Sequence, residues 1–263
     1  MKFQEIFWWR PHYFPYKNLD FYDLIIKNEK SKIGKKNPFY TILFIFFTLI
    51  DELNVKSKDI DYFISIVKKD KNKKHYKYDN EFLKIKNFNN ALLYIDSKPL
   101  LEFDSMLVDQ IITIIKRVNK IVGDGIWNSK GFRSNHAKPS KEEGFFYSSP
   151  LNIRGELIFL VRNTVNLIKL DADCAENIVK AYSYFFTNFL KIHPFINGNG
   201  RTVRISSYYL FKKFISIPII FSSNRQVYLK CLSESHVNNN KEAFTALLLE
   251  SLHHSYQLYD YYS

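Results

Sequence analysis

Between Ala172 and Pro218 the chain has few ways to fold. Ala175, Ile178, Val179, Tyr182, Phe185, Phe186, Phe189 and Leu190 recur at helical spacing and predict one long helix over 172–192 with a broad apolar face. Pro194 stops it, because the proline ring disfavours helical geometry at the preceding residue. Gly198 and Gly200 then permit a tight turn. A second helix is predicted from Thr202 to Phe214, closed by Pro218. A glycine turn that opens a helix presents unpaired backbone N–H groups and the positive end of the helix dipole, which together favour an anion.

The residues in this turn suit phosphate chemistry. The run His193-Pro-Phe-Ile-Asn-Gly-Asn-Gly-Arg-Thr-Val-Arg204 places a histidine just before the turn and two arginines just after it. His193 is a residue able to act as a base and can take a proton from an incoming hydroxyl. Arg201 and Arg204, three apart, share one helix face. Each offers a planar fork of donors that fits phosphate oxygens. The run therefore reads as base, phosphate cradle and phosphate clamp.

The same twelve residues resemble the signature of the Fic family, His-x-Phe-x-(Asp/Glu)-(Gly/Ala)-Asn-(Gly/Lys)-Arg-x-x-Arg. His193, Phe195, Gly198, Asn199, Gly200, Arg201 and Arg204 match, while Asn197 stands where the family has an acidic residue. The resemblance, over roughly residues 90–255, implies an all-α protein: a Fic-like helical domain with a short β-hairpin flap and an N-terminal helical extension. The expected organisation is a helical region over 1–89 and the Fic domain over 90–263.

The activity implied is protein adenylylation, the transfer of AMP from ATP to a Ser, Thr or Tyr hydroxyl with release of pyrophosphate. The alternatives are another nucleotide or phosphocholine as donor, or a nucleotide-binding regulatory protein that has lost turnover. On the family pattern His193 is the general base. Gly198, Asn199, Gly200, Arg201 and Arg204 hold the ATP phosphates, with the Asn199 amide directed to the α-phosphate. The family's carboxylate at position 197 holds Mg²⁺ (or Mn²⁺). Asn197 offers a neutral oxygen instead, so weaker Mg²⁺ demand, a changed donor or a degenerate enzyme are the three outcomes. On the family's adenine side Tyr228 matches, while Leu229 stands in place of the second tyrosine and His236 in place of the asparagine. Tyr228 reads equally as a core aromatic.

A target protein is expected to dock by strand addition along the flap, near residues 136–146. A second copy of the chain is a further candidate partner. Ser57 and Asp61, in a segment near 55–67, form an altered copy of the family's inhibitory helix, or else an ordinary polar turn.

Composition limits the remaining choices. The chain has 263 residues and a formal net charge of +12, with Lys and Arg spread along its length. The charge fits an acidic partner or a biased genome. Without an arginine-rich motif or zinc-finger spacing, nucleic acid is a weak option. Cys174 and Cys231 give neither a disulfide framework nor metal-ligand spacing, which fits a reducing compartment. No signal-peptide pattern opens the chain. The longest apolar run, Phe39 to Ile50, is shorter than the roughly 18–20 residues needed to span a bilayer. The expected location is cytoplasmic, in its own cell or, as a toxin or effector, in another.

Outside the motif, helices are predicted over 19–35, 38–51, 51–69, 104–122, 151–170 and 242–258, with a basic loop or anionic docking patch at 68–77 and a loop or hairpin over 132–149.

Overall fold

The computed structural model describes residues 37–49, 80–102, 108–128, 131–138, 145–170, 172, 174–221, 223, 225–238 and 240–261. Among these the chain forms eight helices and no strand. They are α1 (Pro38–Leu49), α2 (Asn80–Asp96), α3 (Val108–Val122), α4 (Ile153–Leu170), α5 (Ala175–Ile192), α6 (Asn199–Phe211), α7 (Arg225–Val237) and α8 (Lys241–Tyr261). The all-α expectation holds. No helix among the described residues is long and apolar enough to cross a membrane. The helices expected over 19–35 and 51–69, the basic run at 68–77, and the inhibitory candidates Ser57 and Asp61 lie outside the described residues.

The fold is built around α5. Eleven of its eighteen residues are buried, far more than a single apolar stripe requires, because α4, α6, α7 and α8 pack around it. Phe185, Phe186 and Phe189 are fully enclosed. Phe186 packs on Phe221 and Phe244 at ring-centroid distances of 5.1 and 5.3 Å. Burying a phenylalanine contributes about 1.5–3 kcal/mol, so these rings fix the position of α5 and of the residue that follows it.

The apolar helix expected over 38–51 is α1, which is packed into this core. The Tyr40 hydroxyl donates to the Pro218 carbonyl at 2.7 Å, and its ring meets Tyr259 edge-on at 5.4 Å. Burial pushes the Tyr40 phenol far up, so it stays a neutral donor. Phe44 packs on Phe88 of α2 at 5.6 Å. The boundary expected at 89/90 falls inside α2.

Sequence reading leaves α2 and α7 unassigned. In α2, Ile85, Phe88, Leu92 and Ile95 form the buried stripe, but Asn87 interrupts it. Asn87 is itself buried and donates its amide to the Asp124 carbonyl at 2.6 Å, a partner 37 residues away. Such long-range satisfaction is what lets a polar residue occupy a core position. In α7 only Leu229, Cys231, Leu232 and Ser235 are buried, too weak a pattern to stand out.

Candidate functional site

The site is a helix end facing a helix start. α5 ends at Ile192, and His193 caps it in the left-handed conformation (φ 49°, ψ 59°), its N–H donating to the Phe189 carbonyl at 3.0 Å. His193 is the only non-glycine residue with positive φ among the described residues. Histidine tolerates this conformation better than most residues, and it turns the side chain out of the helix line. The next turn buries Phe195, whose ring lies 5.7 Å from Phe132 and 6.4 Å from Phe189. Gly198 is also left-handed (φ 75°) and opens α6, three residues earlier than the predicted start at Thr202.

The Asn199 carboxamide closes the turn. Its Oδ1 accepts from the Phe195 N–H at 3.0 Å and its Nδ2 donates to the Phe195 carbonyl at 2.8 Å. The side chain is buried within the turn, where the sequence reading directed it to a phosphate. Asn119 of α3 braces the turn from outside, donating to the Asn197 carbonyl at 2.9 Å and the Thr202 hydroxyl at 3.0 Å. With its side-chain groups spent on structure, the turn offers an anion the start of α6 itself.

Both motif arginines lie against aromatic rings. The Arg201 guanidinium is buried and sits 4.7 Å over the Trp127 ring. Arg204 donates to the Gly200 carbonyl at 3.2 Å and lies 5.4 Å from the Tyr228 ring and 5.5 Å from Phe221. Rings that stack on guanidinium faces leave the donor edges to meet oxygens.

Trp127 also closes over Gly198: a Cβ there would stand 2.7 Å from the indole. Gly198→Ala is therefore expected to cost about 1–3 kcal/mol from backbone strain alone. It also displaces Trp127 from Arg201. Urea denaturation should show the loss, and an unchanged midpoint would overturn this account of the turn.

Both adenine-side candidates lie on α7. Tyr228 joins Arg204 and the Phe221–Phe244 ring cluster. His236 packs on Phe145 at 4.6 Å, towards the segment that precedes α4. Burial, with Lys191 nearby, pushes the His236 imidazole down to about 4, so it is neutral at physiological pH. Leu229 points into the core.

The metal candidate Asn197 is exposed, and its Oδ1 accepts from the Gly198 N–H at 2.8 Å. The turn has no carboxylate, and no group of three acidic, histidine or cysteine residues suited to a metal occurs among the described residues. The turn's own donors fit a divalent cation poorly: one neutral side-chain oxygen, already accepting a hydrogen bond.

Arg133 is the residue whose importance sequence reading missed. It is only 3% exposed, and its guanidinium reaches four carbonyls: His193 at 2.7 Å, Asn135 at 2.8 Å, Ile192 at 3.2 Å, and Ser148. Burial pushes its pKa down, while Tyr147 and Glu156 push it back up. The Arg133 N–H donates to the Pro194 carbonyl at 2.9 Å and the Ser148 N–H to the Lys191 carbonyl at 3.2 Å. Both legs of the expected flap are thus tied to the end of α5.

The described parts of the flap, 136–138 and 145–146, carry no strand; its middle, 139–144, lies outside the described residues. The expected hairpin is therefore absent from the described part, where the legs pair with the helix end instead of each other. An arginine within Gly131-Phe-Arg133 was the available signal, but nothing local shows that its partners lie 60 residues on.

A family model described as the Fic/DOC family matches residues 94–211. No curated protein matches the chain. Among solved structures, a Fic domain containing signaling protein from Bacteroides thetaiotaomicron VPI-5482 is similar, with 18% identity and a TM-score of 0.66 over 90% of this chain and 95% of that one. Fic-1 (residues 134–508) from C. elegans gives 16% identity and a TM-score of 0.66 over 91% of this chain and 71% of that one. A Fic family protein from Desulfovibrio desulfuricans G20 gives 13% and 0.64 over 95% and 76%. At these identities the structural likeness speaks to the fold.

Proposed function

We propose, on the match of residues 94–211 to the Fic/DOC family, that this chain is a protein adenylyltransferase acting on ATP and a hydroxyl-bearing target protein. The observation that carries this reading is the juxtaposition in the motif: His193 at the left-handed end of α5, and six residues on the N-terminus of α6 with Arg201 and Arg204 on its first turns. A base beside a helix N-terminus and two arginines is the arrangement that transfer of a phosphoryl-linked group to a hydroxyl requires.

The residues divide the work as follows. His193 takes the proton of the target Ser, Thr or Tyr hydroxyl. The oxygen attacks the α-phosphorus, the bond to pyrophosphate breaks, and AMP remains on the target. The N–H groups that open α6 stabilise the charge on the transferred group. Arg201 and Arg204, set by Trp127, Phe221 and Tyr228, hold the β- and γ-phosphates of ATP. Asn199 contributes by holding the turn that presents those N–H groups. The target, in the cytoplasm of its own or another cell, docks along the flap, whose legs fix it to the base. Asn197 offers a divalent cation only a neutral oxygen, so Mg²⁺ would be held chiefly by the substrate phosphates.

His236 favours a second reading. It stands where the family has an asparagine, and Leu229 where the family has a second tyrosine, so the pocket for the base differs from the family pattern and a donor other than ATP fits equally well. Transfer of label from α-labelled ATP in cell lysate tests the first reading. Nucleotide competition against that label tests the second.

Restoring the missing carboxylate is a further test. Asn197→Asp is expected to lower the Mg²⁺ concentration that gives half-maximal transfer, because Mg²⁺ binds a charged oxygen far better than a carboxamide. The readout is label transfer across a Mg²⁺ titration. Identical titration curves for the two proteins would overturn the account of Asn197.

A further inference from the structure

Tyr147 lies outside the motif, on the leg that returns from the flap to α4, yet its ring lies on the imidazole of His193. The centroids are 3.9 Å apart and the planes 23° from parallel. Phe145, itself buried, meets Tyr147 edge-on at 5.8 Å and His236 of α7 at 4.6 Å. A continuous row of rings thus runs from α7 to the candidate base.

The leg's backbone is tied to the same place. Ser148 donates to the Lys191 carbonyl, and the Arg133 guanidinium bridges the carbonyls of Ser148, Ile192 and His193. The Ser148 hydroxyl donates to the Glu156 carboxylate, fixing the leg to α4. Tyr147 is therefore held from its backbone and from its ring.

This matters for a base at a helix end. A side chain there turns about two torsions, and only one ring plane points a nitrogen at the incoming hydroxyl. A ring packed face to face removes the other planes. The tyrosine face is also electron-rich, so it favours a cation over it.

We propose that Tyr147 is a positioning residue for His193. Its ring fixes the imidazole plane and stabilises the imidazolium formed when the base accepts the hydroxyl proton. The proton passes from the target hydroxyl to an imidazole nitrogen, and none passes to Tyr147. This rests on His193 being the base in the reaction proposed above. It also gives the flap a second part, since the segment that meets the target sets the base as well.

Two readouts on the whole chain test it. Protons held over an aromatic face resonate upfield, so the His193 Cε1–H signal, assigned through His193→Asn, is expected upfield in wild type. It should stay there in Tyr147→Phe and move to the ordinary histidine range in Tyr147→Leu. In label transfer, Tyr147→Leu is expected to lower kcat roughly 10- to 100-fold, as a misplaced catalytic group does. The KM for ATP should stay within about twofold, because phosphate binding lies elsewhere. Tyr147→Phe should recover most of kcat.

A His193 signal at the same position in wild type and Tyr147→Leu overturns the proposal, whatever the activity. So does a signal that moves while kcat does not. Absence of label from wild type overturns the adenylyltransferase reading and, with it, the role given to Tyr147. An upfield signal then separates that failure from a missing stack.

Discussion

Label transfer from α-labelled ATP is expected to fall about 10²- to 10⁴-fold when His193 is replaced, the usual contribution of a positioned general base. Two replacements separate chemistry from strain. Alanine at a left-handed position costs roughly 1–2 kcal/mol, whereas asparagine adopts that conformation readily. Neither can take a proton at neutral pH, so both variants should lose transfer equally while only His193→Ala loses stability. ATP affinity measured by calorimetry should hardly change, since the anion site is the start of α6. An active His193→Asn would remove the base from the mechanism. Loss of nucleotide binding together with transfer would instead make His193 part of the cradle.

The second large effect is structural. Arg133→Ala deletes a buried guanidinium that serves four carbonyls, two of them at the end of α5. Leaving buried acceptors without donors is expected to cost about 3 kcal/mol or more. That corresponds to a fall in Tm of roughly 6–12 °C for a chain of this size. Arg133→Lys should recover little, because an ammonium is a point donor and cannot reach carbonyls spread around a planar fork. Transfer should fall as well, because the His193 carbonyl, the flap legs and Tyr147 all share this contact. Thermal unfolding of the three proteins gives the answer. A Tm change below about 2 °C in Arg133→Ala would mean that water satisfies these carbonyls and that the flap legs are held by other contacts.

These residues show where sequence reading stops. Helices with a long uninterrupted stripe, such as α3, α4 and α5, are legible because burial repeats every three to four residues. α2 is not, since Asn87 breaks its stripe and finds its partner only in the folded chain. The order of base, turn and arginines is legible because the chemistry needs those residues close in sequence. The use of Asn199 is not, since one carboxamide can face a phosphate or its own backbone, and packing decided for the backbone. The contact of His236 with Phe145 is likewise set by the fold, since the two residues lie on segments far apart in the sequence.

The sequence by itself determined a set of helices with a histidine, a glycine turn and two arginines at one helix–turn–helix, because spacing within a single helix or turn is a local property of the chain. The tertiary structure alone decided what holds that site in shape: Arg133 on the end of α5, Asn119 and Trp127 against the turn, and Tyr147 on the base. Their partners there lie about 46 to 83 residues away, and only the packing of helices around α5 brings them within hydrogen-bond or ring-contact distance.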